Sequence, residues 1–87
     1  MNAVYILTNR PHGTLYVGVT SNLVKRIYEH KNNFVDSFSK KYNLRILVYF
    51  EQTADIYEAI VRETRLKIAL IDKFNPNWKD LYTEIIG

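Results

Sequence analysis

Two stretches decide the fold of this chain: Ala3-Val4-Tyr5-Ile6-Leu7 and Leu15-Tyr16-Val17-Gly18-Val19. Both are rich in β-branched and aromatic residues, and the five-residue connection at 9–13 is dense in turn formers. The pattern predicts a β-hairpin with strands over 3–8 and 14–19. Each strand contains a tyrosine, where apolar packing alone would favour phenylalanine or valine.

A helix is predicted immediately after the hairpin, over residues 22–32. The segment Thr20-Ser21-Asn22 offers a side-chain oxygen that can cap its N-terminus, and apolar residues recur at helical spacing beyond it. Arg26 and His30 are four residues apart and therefore share one face. Two tyrosines followed by a cation and, at Glu63, a distant carboxylate suggest groups that handle a phosphate.

A third strand is predicted from the nearly continuous apolar run at 45–50. Such a run is typical of a strand covered on both faces, which favours a central position in a small sheet. Before it, Phe34, Phe38 and Tyr42 are spaced by four residues, which permits a short helix. The predicted fold class is α+β, with a three-stranded, mostly antiparallel sheet flanked by helices.

The second half of the chain predicts a long helix. After Thr53, which can act as N-cap, apolar residues recur every three or four positions until Asn75-Pro76 ends the pattern. Glu63 interrupts the inward face of this helix. An unpaired carboxylate facing a core is costly, so we expect a cation, a metal or hydrogen-bond donors beside it. Trp78 and Leu81 are expected to fold back over the core.

Length and composition predict one ordered domain over residues 1–87. With no cysteine, disulfides and thiolate metal sites are excluded, and two histidines are too few for a histidine-rich metal site. No segment approaches the roughly 18 apolar residues that span a bilayer, and the chain opens on a strand pattern rather than a leader. A cytoplasmic location, with no membrane partner, is therefore expected.

The formal net charge of +3 is mild, but its distribution is uneven. Between residues 25 and 45, six basic residues stand against two acidic ones. One interpretation is an ordinary solvated surface; the other is a patch that binds phosphates. The basic residues of this stretch are Lys25, Arg26, Lys31, Lys40, Lys41 and Arg45.

In order and spacing, these residues resemble the GIY-YIG nuclease family in its small stand-alone bacterial form. The first signature triad matches Ala3-Val4-Tyr5, with alanine in place of glycine, and the second matches Tyr16-Val17-Gly18. Arg26 stands ten residues beyond the second tyrosine, where the family's arginine is expected, and His30 follows one turn later. Glu63 looks like the family's metal-binding glutamate. Three further segments are similar to landmarks of the subfamily: 38–43, 47–51 and 75–81.

The resemblance implies a metal-dependent endonuclease that hydrolyses DNA phosphodiester bonds, in repair or recombination. Its substrate would be duplex, flapped or branched DNA, cut with low sequence specificity or by structure. A single divalent ion, Mg²⁺ or Mn²⁺, would be held by Glu63 and weakly so without substrate. The implied catalytic residues are Tyr5, Tyr16, Arg26, His30 and Glu63, with Asn75 supporting the carboxylate and Lys25, Lys31, Lys40, Lys41 and Arg45 binding nucleic acid.

Within that implied site, Arg26 would contact the non-bridging phosphate oxygens and Tyr16 would take or relay the proton of water. Tyr5 and His30 would orient water, assist Tyr16 or bind phosphate, and the sequence does not rank these roles. The interval between Glu63 and Asn75 is shorter than in typical stand-alone relatives, which implies less basic surface.

Other interpretations remain open from the sequence alone. Taken individually, the tyrosines can be packing residues of the hairpin, His30 a surface histidine, and Glu63 an ion-pair partner of Arg26 or Lys67. A nucleic-acid-binding module without catalysis is one alternative function. A protein-interaction domain is another, and the sequence predicts no oligomeric state. The interaction surface would use Tyr42, Tyr49, Trp78 and Tyr82.

Overall fold

The computed structural model describes residues 2–34 and 37–87, without the side chain of Ser37. It confirms the predicted α+β class, with a three-stranded antiparallel sheet flanked by helices. None of the described helices is long and apolar enough to cross a membrane. The elements in chain order are β1 (Ala3–Thr8), β2 (Leu15–Thr20), α1 (Leu23–Lys31), α2 (Ser37–Tyr42), β3 (Ile46–Glu51), α3 (Tyr57–Arg62), α4 (Thr64–Phe74) and α5 (Tyr82–Ile86).

The sheet has the strand order β2-β1-β3, so β1 is its central strand. All six residues of β1 are buried, and they pair antiparallel with β2 on one side and β3 on the other. The prediction that the third strand lies centrally is therefore wrong. A continuous apolar run reports that both faces of a strand are covered, and at β3 the covering is done by helices rather than by flanking strands.

The outer edge of β3 is covered by residues 75–81, which we call the edge segment. The side-chain amide of Asn75 donates to the carbonyl of Val48 at 3.1 Å, and the backbone N–H of Leu81 donates to the carbonyl of Leu47 at 2.8 Å. The N–H of Leu47 in turn donates to Asp80 Oδ1 at 3.2 Å. Backbone groups that would be unpaired at a sheet edge are thus satisfied within the chain.

Alternation along β1 divides the core into two clusters. Val4 and Ile6 pack on the side of α3 and α4, where Ile60 and Ile71 are buried with Trp78, which confirms that this tryptophan folds back. Tyr5 and Leu7 point to the other face. There they pack with Ile27 of α1, Leu44 and Leu47. Each fully buried aliphatic side chain stabilises the fold by about 1.5–3 kcal/mol.

The long helix predicted after Thr53 is two helices, α3 and α4, separated at Glu63. Glu63 has extended backbone angles, φ −123° and ψ 106°, and its side chain is exposed. Its N–H still donates to the carbonyl of Ala59, and its own carbonyl accepts from the N–H of Leu66. The predicted inward position of Glu63 is therefore wrong, because the break takes this residue out of the apolar stripe.

Candidate active site

Tyr5 and His30 form the buried part of the candidate site. Both are 1% exposed, and the hydroxyl of Tyr5 shares a hydrogen bond of 3.1 Å with Nε2 of His30. The other ring nitrogen of His30, Nδ1, lies 2.8 Å from the hydroxyl of buried Ser39 in α2. His30 is therefore an interior residue with both ring nitrogens engaged, rather than a surface histidine.

Gly18 makes room for the Tyr5 ring. The two residues are direct partners in the β1–β2 ladder. A Cβ atom placed on Gly18 would lie 2.3 Å from the hydroxyl oxygen of Tyr5 and 2.4 Å from its Cζ. Glycine is therefore required at position 18 because a larger side chain would collide with the Tyr5 ring, and not because of an unusual backbone conformation. The second signature triad therefore contributes to the site through its glycine as well as through Tyr16.

Arg26, on α1, interacts with the Tyr5 hydroxyl through its guanidinium, which can only donate to the phenol oxygen. Its Nη1 also lies 3.6 Å from Glu29 Oε1, and the Arg26 side chain is 37% exposed. The hydrogen bond with Tyr5 raises the pKa of Arg26, which keeps the group charged. Arg26 is thus oriented by two partners while part of its surface stays open to solvent.

The two tyrosines differ in accessibility. Burial raises the pKa of Tyr5 to about 12, although the hydrogen bond from Arg26 opposes the shift. Tyr5 is therefore protonated at neutral pH and is a hydrogen-bonding group rather than a base. Tyr16 is half-buried, with its ring centroid 6.3 Å from that of Tyr5 and 5.6 Å from that of His30. Of the two phenols, Tyr16 is the one that solvent can reach.

A groove opens beside Tyr16, at the edge of β2. Its volume is about 340 Å³, and we call it the aromatic groove. Glu63 lies in the chain between two of its lining residues, at the junction of α3 and α4. The groove is lined by Leu15, Tyr16, Val17, Phe38, Tyr57, Val61 and Lys67.

The Glu63 carboxylate makes no direct bond with the Tyr5 cluster, which is Tyr5, Tyr16, Arg26 and His30, within the described residues. Tyr5, Tyr16, Arg26 and His30 share the α1 side of the sheet, whereas the helices that flank Glu63 pack mainly on the opposite face. Among residues 2–34 and 37–87, the Glu63 carboxylate has neither an ion pair nor a hydrogen bond, and Arg26 pairs with Glu29 instead. The structure thus brings four of the five predicted catalytic residues together and, within the described part of the chain, leaves the carboxylate without a protein partner at the junction of α3 and α4.

The residues present fit a weakly held, hard divalent cation. In the described part of the chain, no group of three or more His, Cys, Asp or Glu side chains converges. A preformed all-protein metal cage is therefore absent from these residues. A single exposed carboxylate is nevertheless the kind of ligand that Mg²⁺ uses, since this ion keeps several waters and takes substrate phosphates as further ligands.

Asn75 does not support Glu63, contrary to the prediction. Its amide Nδ2 donates to the carbonyls of Val48 and Lys79, and its Oδ1 accepts from the N–H of Lys79. Asn75 and Glu63 cap opposite ends of the 11-residue helix α4, about 18 Å apart along its axis. The role of Asn75 is to fix the edge segment against β3.

Lys31 is also engaged in packing. Its ammonium group pairs with the Asp80 carboxylate and donates to the carbonyl of Arg45 at 2.8 Å. It also lies 5.0 Å from the ring centroid of Tyr82. These contacts join α1 to the edge segment and α5, so Lys31 is a poor candidate for binding nucleic acid. The remaining predicted basic residues, Lys25, Lys40, Lys41 and Arg45, are exposed.

The aromatic surface proposed for a protein-interaction domain does not exist as predicted. Trp78 and Tyr49 are buried, and Tyr82 is half-buried beneath Lys31. Only Tyr42 of that set is exposed. The reason is that the edge segment and α5 use these rings to complete the core.

Sequence reasoning missed Ser39 and the exposed ring of Phe38. The spacing of Phe34, Phe38 and Tyr42 predicted a short helix, but it did not show that this helix delivers a hydroxyl to the His30 ring. The available signal was a small polar residue within an aromatic helical repeat. It became informative only once α2 was seen to pack beside α1.

Three features are those of a small nuclease domain: the sheet, the cluster of phenols with a guanidinium and a buried imidazole, and the exposed carboxylate between α3 and α4. Comparison with protein-family models matches residues 1–83 to the GIY-YIG catalytic domain. The chain therefore belongs to the GIY-YIG family. Searches among curated proteins and among solved structures found no match. Membership implies nuclease activity on nucleic acid, and GIY-YIG nucleases typically use a divalent metal.

Proposed function

We propose that this domain is a metal-dependent endonuclease that hydrolyses DNA phosphodiester bonds with selectivity for structure rather than sequence. The observation that supports this most directly is the setting of Arg26. Its charged guanidinium is oriented by Tyr5 and Glu29, stays partly open to solvent, and lies beside the accessible phenol of Tyr16.

Arg26 binds the scissile phosphate. Its planar donors match two non-bridging oxygens, and a group already held in place loses little freedom when it binds. Lys25 is next to it in the chain, and both line a second groove of about 340 Å³ at the start of α1. Positive charge at this position stabilises the extra negative charge that develops on the phosphoryl oxygens during reaction.

Tyr16 accepts or relays the proton of the attacking water, because it is the more accessible phenol. Tyr5 is protonated and shares a hydrogen bond with His30. It orients Arg26 and keeps its proton throughout the reaction. In the overall step, a bond forms between the water oxygen and phosphorus, and the bond from phosphorus to one ester oxygen breaks. The departing oxygen gains a proton, so atoms and charge balance.

Glu63 is the residue that would hold the divalent ion, Mg²⁺ or Mn²⁺. When bound, such an ion neutralises phosphoryl charge and lowers the pKa of water. The Glu63 carboxylate is exposed and without a protein partner in the described ranges, so it is available to a substrate-bound cation. Weak binding in the absence of DNA follows from having one protein ligand.

Selectivity for structure follows from the kinds of contact available. Lysine and arginine side chains at Lys25, Lys40, Lys41 and Arg45 neutralise phosphates, which position a substrate without reading its sequence. Bent, flapped or branched DNA would let the backbone approach both Arg26 and Glu63.

A cleavage screen tests this function. Labelled linear, flapped and branched DNAs are incubated with the protein and Mg²⁺ or Mn²⁺, beside Glu63→Gln and Arg26→Ala variants. We expect cleavage that needs the metal and falls roughly 10²–10³-fold in each variant. Glu58→Gln, which alters an exposed carboxylate of α3, is the matched control and keeps full activity. Undiminished cleavage by both Glu63→Gln and Arg26→Ala would reject the proposal.

Within the described residues the Glu63 carboxylate makes no bond to the Tyr5 cluster, which favours a second candidate, a DNA-binding domain without catalysis. Its affinity falls with salt: the logarithm of the binding constant decreases with the logarithm of the salt concentration, with a slope of about 0.9 for each phosphate neutralised on duplex DNA. Binding with no cleavage in any divalent metal supports this candidate. Failure to bind single-stranded, duplex or branched DNA at low salt removes both.

A further inference from the structure

Phe38 exposes an aromatic ring in the wall of the aromatic groove. It is 44% exposed, although it is a large apolar side chain. Its ring centroid lies 6.0 Å from that of Tyr16 and 4.9 Å from that of Tyr42. The three rings therefore form a row that begins at the candidate catalytic phenol and continues onto the surface of α2.

Positive charge accompanies this row of rings. Lys67 lines the aromatic groove, and Lys40 and Lys41 are exposed on α2. The ammonium of Lys41 lies 5.4 Å from the centroid of the Tyr42 ring. Among the described residues that line the groove there is no acidic side chain. The described lining of the groove thus combines exposed π-faces with cations and contains no carboxylate.

The groove lined by Tyr49, Phe50, Glu51, Phe74, Leu81 and Glu84, about 310 Å³ in volume, provides a contrast within the same molecule. It too presents an exposed ring, that of Phe74. Two carboxylates, Glu51 and Glu84, line it, and they disfavour a polyanion. Exposed aromatic area alone therefore does not single out a nucleic-acid surface, whereas rings beside lysines do.

Aromatic rings with cations select a particular form of nucleic acid. In a continuous duplex the faces of the bases are stacked on one another, whereas an unpaired base exposes its face to a protein ring. Stacking on aromatic side chains is tolerant of sequence because every base has a π-face. A surface of this kind that starts at Tyr16 favours substrates whose unpaired nucleotides adjoin the phosphate to be cut.

We infer that the aromatic groove binds an unpaired nucleobase stacked on Phe38, and that the domain therefore prefers DNA with single-stranded nucleotides next to the cleavage position. The inference rests on the proposed function in taking DNA as the ligand. Lys67 and Lys41 neutralise the phosphates on either side of the stacked base.

Binding measurements without divalent metal test this inference independently of cleavage. The protein is titrated in EDTA with a fluorescently labelled single strand of about 12 nucleotides and with a blunt duplex of the same sequence. The variants are Phe38→Ala, Phe38→Leu and Phe38→Trp, and Phe74→Ala is the control for an exposed ring elsewhere. Circular dichroism verifies that each variant is folded.

We expect Phe38→Ala and Phe38→Leu to weaken single-strand binding roughly tenfold, while Phe38→Trp and Phe74→Ala bind as the unchanged protein does. Duplex binding changes by less than about twofold in all four. If Phe38→Leu retains affinity, the groove is an apolar surface for another partner and the inference fails. Equal losses on single strand and duplex overturn it as well.

The outcomes also separate this inference from the proposed function. Single-strand binding that depends on Phe38, in a protein that cleaves nothing, supports the inference and rejects hydrolysis. Metal-dependent cleavage with no dependence of binding on Phe38 does the reverse. No binding of either DNA rejects both.

Discussion

Tyr5 and Tyr49 are two buried strand tyrosines with opposite partners. They are 1% and 5% exposed, and burial raises the pKa of each to about 12. The Arg26 guanidinium interacts with the Tyr5 hydroxyl and opposes the rise in its pKa, whereas the Tyr49 hydroxyl donates to Glu51 Oε1 at 2.8 Å. Residue type and burial are therefore nearly the same, and the charge of the partner differs.

The difference shows how to distinguish a packing tyrosine from one in a phosphate site. Around Tyr49, the groove formed with Phe74 contains Glu51 and Glu84, so an anion is repelled. The charged side chain that interacts with Tyr5 is Arg26, a cation that solvent can reach. A strand tyrosine becomes informative only when its partner is known, and here that partner, Arg26, is 21 residues away in the sequence, on α1.

The strongest test of this comparison replaces each phenol by a phenyl ring. Tyr5→Phe removes the acceptor that orients Arg26, so we expect the rate of DNA cleavage to fall roughly tenfold to hundredfold. Tyr49→Phe removes a hydrogen bond to Glu51 and changes the rate by less than about twofold. Single-turnover cleavage at saturating protein measures both. Equal effects of the two variants would contradict the distinction between the two regions.

Alkaline unfolding provides a second test. The pKa of Tyr5 is raised from 10.0 in the unfolded chain to about 12 in the folded protein, so the unfolded state loses its proton first. The stability contribution is present below pH 10 and is lost as the pH rises from 10 to 12. For Tyr5 the loss is of the order of 2 kcal/mol.

Urea titrations at several pH values measure this loss as a fall in the free energy of unfolding. The Tyr5→Phe variant should show a shallower decline above pH 10 than the unchanged protein, with Tyr49 accounting for part of what remains. A decline of the same slope in both proteins would mean that the Tyr5 hydroxyl is not desolvated.

Gly18→Ala should disturb the Tyr5 region without touching Tyr49. The added methyl group lies within 2.3 Å of the Tyr5 hydroxyl, and overpacking of this kind costs about 1–3 kcal/mol. We expect lower stability in urea and loss of cleavage, since the ring is displaced from Arg26. Gly87→Ala is the matched control, because its added Cβ meets only the carbonyl of Thr83 at 3.7 Å. Full activity of Gly18→Ala would show that Tyr5 need not hold its place.

The smallest expected effect concerns Ser39, which holds the far side of the His30 ring. Ser39→Ala removes a buried hydrogen-bond partner of Nδ1, at a cost of about 1 kcal/mol in unfolding free energy. Nitrogen-15 NMR of the imidazole reports whether the tautomer of His30 changes with it. Ser21→Ala, at an exposed position, is the control. If the nitrogen-15 shifts of the His30 imidazole are unchanged in Ser39→Ala, then Ser39 does not determine the tautomer of His30.

Local patterns predicted the hairpin and first helix nearly to the residue. The strands expected at 3–8 and 14–19 are found at 3–8 and 15–20, and the capping role of Asn22 is borne out by a hydrogen bond from the N–H of Lys25 to its Oδ1. These features depend on neighbours in sequence, so their causes are visible in it. The proximity of Arg26 and His30 to the strand tyrosines was predicted through the family resemblance.

What the sequence did not reveal depends on contacts between distant segments. The edge segment occupies the sheet position beside β3, which a run of apolar residues cannot report. Lys31 forms an ion pair with Asp80, 49 residues away in the sequence, so its charge is not available to the basic surface. The break at Glu63 is not marked by glycine or proline, and nothing local in the sequence explains why the helix divides there.

The hydrogen bonds of the edge segment to β3 also have a consequence for synthesis on the ribosome. Residues 46–51 emerge before residues 75–81, so for the time needed to translate some thirty codons the outer carbonyls and N–H groups of β3 have no partner in the chain. During that interval a neighbouring nascent chain could pair with the same strand. Slowing translation after codon 51 should therefore raise the insoluble fraction, and faster delivery of the last segment should lower it.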